Sequence, residues 1–221
     1  MYDEIMTEFI VPYGQSIIGE KEFYFCRDLE KIYIPHYVKE IPKTNFIEEG
    51  AVFMIPRQIH PLTIFGERET AAERCAQDAG LIFEETDRWE DGDVLKAYFG
   101  KSKNVKIGSH IRVIRYDSFH YAPDIEEVEL SFGLELIDSA TFQNTKIREI
   151  VIPKSVKNLG SRTFKDCKNL KCVAFENGDT TFEIDSNDIL SVSRLFDAIY
   201  KEQCKEMPFP FPWYQYGLGK K

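Results

Sequence analysis

The chain has 221 residues, of which 43% are hydrophobic, and a formal net charge of −9. That is enough chain and apolar content for one large or two small folded domains, and too apolar for a disordered polymer. The negative balance gives no basic footprint for displacing counterions from nucleic acid and disfavours an anionic membrane surface, and no apolar run approaches the length of a bilayer span.

The chain opens with MYDEIMTEFIVPYGQ, acidic where an export signal is basic and without the apolar stretch that should follow. It reads as cytoplasmic as it stands, or as a cell-surface or secreted protein from which an export signal has been removed. Five cysteines, Cys26, Cys75, Cys167, Cys172 and Cys204, make an odd count that fits reduced, mostly buried thiols better than a disulfide framework.

Residues 1–60 begin a repeat. Phe23 and Phe46 set a spacing that returns, after a long gap, in Phe119, Phe142 and Phe164, the last step being one position shorter. Five positions before each Phe is an aliphatic side chain: Ile18, Ile41, Ile114, Ile137 and Leu159. Eight before four of them is another: Val38, Ile111, Leu134 and Val156. A Leu-x-x-Ile-x-Ile run follows in Leu29-Ile32-Ile34, Ile125-Val128-Leu130, Ile147-Ile150-Ile152 and Leu170-Val173-Phe175. The Ile-x-Ile alternation sends two side chains to one face of a short strand. Pro35 and Pro153 then end the strand, because proline cannot donate to a ladder. The next aliphatic pair makes a second extended piece, with Gly19 and Gly160 turning the chain, and the Phe plugs the coil from a tight, 3₁₀-like turn. One such coil has too little interior to fold alone, so coils must stack, and a period near 23 lies in the leucine-rich-repeat range.

Residues 61–88 interrupt the period. Glu69 to Ala79 is predicted to be a helix with Ala72, Cys75, Ala76 and Ala79 on one stripe and Gly80 as its stop, flanked by parallel strands at Leu62–Phe65 and Leu81–Phe83. The second repeat block runs over residues 89–178, and Trp89, Leu95, Tyr98 and Phe99 offer apolar surface for joining the two blocks into one body. Residues 179–221 leave the period. Asp188 to Glu206 has helical apolar spacing through Ile189, Val192, Leu195, Phe196 and Ile199, which suits a cap over the open end of the array. PFPFPW, from Pro208 to Trp213, favours an extended path, packed on that cap or docked on a neighbouring molecule.

The stretch IVIPKSVKNLGSRTFKDCKNLKCVAF resembles the BspA-like leucine-rich repeat. DGDVLKAYFGKSKNVKIGSHI, from Asp91, is similar to the segment that often opens such an array, and LTIFGERETAAERCAQDAGLIF, from Leu62, to the strand-helix-strand piece that often closes one. The resemblance spans Ile10 to Glu176 and implies a leucine-rich-repeat solenoid: β-rich, with short strands and 3₁₀ or irregular turns, one helical insert and a C-terminal helix cap. Ser131 and Gly108 stand where the repeat has proline; Ala122, Glu49 and Thr145 where it has cysteine; Arg115 and Asp138 where it has glycine.

Chemistry-bearing patterns are sparse. No glycine-rich phosphate loop is present. His36, His60, His110 and His120 show neither an i,i+4 pair nor a Cys pair at zinc spacing, so solvated imidazoles are expected in the strand-to-strand turns. No cofactor is called for, and the chain reads as non-enzymatic. Surface remains. The strand residues between the buried ones should face outward in register: Lys31 and Tyr33, Glu127 and Glu129, Glu149 and Val151, Cys172 and Ala174. Tyr33, Glu127, Glu129, Glu149 and Val151 are the expected binding residues, presenting acid beside aromatic and small apolar groups to a protein partner of basic or mixed surface. The alternative expectation, carried by the family resemblance, is a bacterial surface adhesin for a host protein or glycan.

Overall fold

The computed structural model describes residues 6–23, 26, 28–46 and 62–176 and the strand at 181–183. The expected cap helix over residues 188–206 and the Pro/aromatic tail lie outside the described residues, as do His60 and Glu49.

The first block forms a four-stranded parallel sheet. Strands β1 (Glu8–Ile10) and β2 (Lys31–Tyr33) come from the repeat; β3 (Thr63–Gly66) and β4 (Ile82–Glu85) come from the insert and extend the same ladder. The register places Phe9, Ile32, Ile64 and Phe83 in one inward row. Helix α1 (Ala71–Ala79) crosses between β3 and β4, as its apolar stripe requires, and buries Ala71, Ala72, Cys75 and Ala76 against the sheet. Gly80 ends it in the left-handed region with φ 66°, its N–H reaching the carbonyls of Ala76 and Gln77. Small residues let the helix sit close: a Cβ on Gly66 would lie 2.5 Å from that of Ala72.

The second block is a two-sheet solenoid. The hairpin β5 (Arg88–Asp91) and β6 (Val94–Tyr98) opens it. Thereafter the chain alternates between two sheets. One continues from β6 through β8 (Val113–Ile114), β10 (Leu136–Ile137) and β12 (Asn158–Leu159). The other stacks β7 (Asn104–Lys106), β9 (Glu127–Glu129), β11 (Glu149–Ile152) and β13 (Cys172–Phe175) in parallel, and β14 (Thr181–Glu183) closes it antiparallel to β13. Between the sheets runs a column of rings, Tyr98, Phe119, Phe142 and Phe164, with successive centroids 5.7, 4.9 and 5.7 Å apart. All four are buried. The aligned column is the arrangement that the repeat spacing of the phenylalanines predicts.

The departures from the repeat pattern are absorbed locally. Gly108 and Ser131 still accept the turn hydrogen bond, from Ile111 N at 3.0 Å and Leu134 N at 3.3 Å, that Pro35 and Pro153 accept from Val38 and Val156. Ala122, Thr145 and Cys167 occupy one buried position. Thr145 Oγ1 donates to the Phe142 carbonyl at 2.7 Å and Cys167 Sγ to the same oxygen at 2.9 Å, so the site takes any small side chain that fits beneath the turn. Gly160 corrects the sequence reading. It is needed less to turn the chain than to let two coils touch, since a Cβ there would lie 2.1 Å from the Ser139 nitrogen. The turning falls instead on non-glycine residues held at positive φ two positions before Phe23, Phe119, Phe142 and Phe164: Lys21, Asp117, Ala140 and Arg162, at 57–60°.

The two blocks have separate hydrophobic cores, and no described strand ladder joins them. They meet through the outer side of β2 and β3. Trp89 stacks on Tyr33 with centroids 5.0 Å apart, Tyr33 stacks on Phe65 at 4.7 Å, and Phe99 meets Tyr33 edge-on at 6.2 Å. Of the residues expected to bridge the blocks, Trp89 and Phe99 do so, whereas Leu95 and Tyr98 belong to the second core. Polar contacts reinforce the junction. Glu8 is paired with Lys31 of its own block at 2.6 Å and with Lys96 of the other at 3.4 Å. Lys96 also lies over the Trp89 ring at 4.8 Å.

Candidate functional site

The outward side of the five-stranded sheet built on β7, β9, β11 and β13 is the surface that the alternation of the strands predicts. Val128, Ile150 and Val173 point into the core, and their neighbours along each strand point out. The register then aligns outward residues into two rows. One holds Asn104, Glu127, Glu149 and the backbone position of Cys172. In the other, Lys106 pairs with Glu129, and Val151 with Ala174. Parallel strands lie about 4.8 Å apart, so Glu127 and Glu149 are like charges on adjacent rungs, an arrangement that costs stability in a sheet. Both are exposed, and neither has a cation within ion-pair distance among the described residues. Val151 stands beside them with 52% of its surface exposed.

Elsewhere on the array, four carboxylates are matched from coil to coil among the described residues. Glu126 is held between Lys103, one coil before, and Arg148, one coil after. Glu135 is held in the same way between Arg112 and Lys157. Asp124 pairs with Lys146, and Glu129 with Lys106 at 2.6 Å. Burial opposes the charged form of Glu135, but the hydrogen bonds and charges of Lys157 and Arg112 outweigh it and hold its pKa below the usual carboxylate range. The partners in each pair stand one repeat apart, so the pairs were present in the sequence as opposite charges at equivalent positions.

Of the expected binding residues, the sheet therefore brings together Glu127, Glu129, Glu149 and Val151, with Glu129 already neutralised by Lys106. Tyr33 departs from the expectation. It does lie on the outer side of its strand, but it is only 4% exposed because Trp89, Phe65 and Phe99 cover it. Burial pushes its hydroxyl pKa well above the ordinary tyrosine value. It is a structural contact between blocks, separate from the acidic face.

His110 and His120 are exposed, as their turns suggest, whereas His36 is half-buried. His36 Nδ1 lies 2.8 Å from the Phe99 carbonyl across the block junction, and His110 Nε2 lies 2.9 Å from Glu90 Oε2. His120 Nδ1 is 3.6 Å from Asp117. Among the described residues no three His, Cys, Asp or Glu side chains gather as a metal site, and no helix is long and apolar enough to cross a membrane. Cys75 and Cys167 are buried free thiols whose pKa values burial raises, that of Cys75 to about 12.

The family description "BspA type Leucine rich repeat region" matches residues 1–54 and 97–205 in six copies. Two solved structures are similar to the chain. One is a leucine-rich repeat protein from Eubacterium ventriosum, 16% identical over 76% of this chain and 60% of that one, with a TM-score of 0.37. The other is a leucine rich cell surface protein from Faecalibacterium prausnitzii, 18% identical over 82% of this chain and 52% of that one, with a TM-score of 0.34. This chain thus spans 60% and 52% of the lengths of those two proteins. No curated protein matches it.

Proposed function

We propose that this chain, which belongs to the BspA-type leucine-rich-repeat family, is a non-enzymatic module that binds a protein partner on the outward face of β9, β11 and β13. The observation that carries this reading is the contrast in charge pairing. Along the array, Asp124, Glu126, Glu129 and Glu135 have cations one coil away, yet Glu127 and Glu149 sit as like charges on adjacent rungs, exposed and unmatched among the described residues. Two unscreened carboxylates beside exposed Val151 suit a partner that brings one or two cations and a small apolar contact. Such a partner removes the like-charge repulsion when it binds. Glu129 contributes less, because its charge is spent on Lys106, and Tyr33 does not take part.

Affinity capture with the intact chain and with Glu127→Lys/Glu149→Lys tests the face. Proteins bound by the first and lost by the second, then retitrated in purified form with falling affinity as salt rises, support it. Partners bound equally by both remove it. The second reading, a bacterial surface adhesin, uses the same face. Labelling of intact cells with a membrane-impermeant reagent decides it: an unlabelled chain excludes the adhesin and leaves the interaction module.

A further inference from the structure

The junction of the two blocks encloses a cleft of about 180 Å³ that is distinct from the acidic face. Four separated segments build it: the turn after β1 gives Tyr13, the turn after β2 gives His36 and Tyr37, the stretch after β6 gives Lys101, and the turn before β9 gives Tyr121 and Pro123. Its walls are rings set at steep angles. Tyr13 meets Tyr37 edge-on at 5.4 Å, and His36 meets Tyr37 edge-on at 5.8 Å. The rings are held in place from behind. Tyr37 donates its hydroxyl proton to the Val11 carbonyl at 3.0 Å, and His36 is tied to Phe99 at 2.8 Å. Tyr13 remains 47% exposed at the mouth. On the rim, the Lys101 ammonium makes no ion pair among the described residues.

Rigid aromatic walls with slots between them suit a ligand that is itself rigid, apolar and free of backbone donors needing partners. Proline-rich extended segments are such ligands, because their backbone is already ordered and their rings fit between aromatic side chains. This chain carries one: Pro208-Phe209-Pro210-Phe211-Pro212-Trp213, with prolines at alternate positions and Glu206 just ahead of them to meet Lys101. Reach is no obstacle. The linker from Glu183 to Pro208 spans about 36 Å even at the short rise of a helix. The four strand steps from β14 back to β7 cover only about 19 Å.

We propose that the tyrosine cleft is the docking site for the Pro208–Trp213 segment of this chain. Its occupation would fasten the C-terminal end of the polypeptide across the seam between the blocks. The proposal stands apart from the acidic face, and either can fail without the other.

The test uses the full-length chain carrying Pro208→Ser, Pro210→Ser and Pro212→Ser, which empties the site, and a labelled synthetic peptide of residues 206–216 followed by fluorescence anisotropy. The expected result is saturable binding that the unsubstituted chain shows at least tenfold more weakly, because its own tail competes. Tyr13→Ser, added to the tail variant, should weaken the peptide at least tenfold, and Lys101→Glu about threefold. Tyr13 is half exposed, so the coil does not depend on it, and circular dichroism verifies the fold. A peptide with serine at the three proline positions should not bind. No saturation up to about 1 mM, or equal binding to the Tyr13→Ser chain, overturns the proposal. Native mass then assigns the occupant: a monomer places a molecule's own tail in its cleft, and a dimer dissolved by the proline substitutions places it in a second copy.

Discussion

Removing the ring at the middle of the aromatic column tests the solenoid most directly. Phe142 is fully buried, with Phe119 at 4.9 Å on one side and Phe164 at 5.7 Å on the other. Truncating a buried Phe to Ala costs about 3–5 kcal/mol. Each aromatic neighbour adds about 0.5–1.5 kcal/mol beyond simple burial, and this ring has two, so Phe142→Ala should fall at the upper end, about 4–5 kcal/mol. Phe142→Leu keeps most of the volume and should cost about 1.5 kcal/mol. Urea denaturation gives the totals, and hydrogen exchange read by mass spectrometry gives the place. Peptides from residues 104–167 should lose protection, while those from residues 31–39 and 62–79 keep theirs, because the cores are separate. A double-mutant cycle sharpens the test. Phe142→Leu should couple with Phe164→Leu by at least about 0.5 kcal/mol and with Phe23→Leu by nothing measurable. A cost below about 1 kcal/mol for Phe142→Ala, or a coupling to Phe23 as large as that to Phe164, would refute the column as the spine of the second block.

Three further outcomes follow from the same geometry. Gly160→Ala should destabilise by about 2–3 kcal/mol, since its Cβ would meet backbone, the Ser139 nitrogen at 2.1 Å, and a thermal melt reads the loss. Arg162→Gly should instead stabilise by about 0.5–1 kcal/mol, because an exposed residue at φ 60° is relieved of left-handed strain; a lowered melting temperature would contradict the backbone assignment. The block junction should weaken in acid. Burial opposes the charged form of Glu8, yet Lys31 and Lys96 outweigh it and hold its pKa below the ordinary value. Its contribution is therefore complete above about pH 4.3 and lost as pH falls through the lowered folded value. Glu8→Gln should lower the melting temperature at pH 7, and the gap from the unsubstituted chain should close as pH falls through the lowered folded value; a gap that widens in acid would reverse the sign.

The acidic face was legible in the sequence as far as parity carries. Once Val128, Ile150 and Val173 are inward, Glu127, Glu149 and Ala174 must be outward, and the repeat spacing puts them on neighbouring rungs. The neutralisation of Glu129 was also within reach, since Lys106 stands at the equivalent position of the preceding coil. The fate of Tyr33 was not. Parity correctly sends it to the outer side of β2, but whether that side meets water depends on Trp89, which lies far along the chain in another block. Gly160 misled in a related way: its need for a bare Cα comes from Ser139 on the adjoining coil, whereas glycine in a sequence first suggests a turn.

The sequence by itself determined the coil, its period and its inward column, because those depend on side-chain alternation and on burial that each coil must share with the next. The tertiary structure alone decided how two arrays of such coils sit together, which outward rings are covered, and that a tyrosine-walled cleft opens between them. The physical reason is range. Repeat stacking is a nearest-neighbour interaction written into every turn, whereas the junction joins surfaces distant in the chain whose complementarity no local pattern encodes.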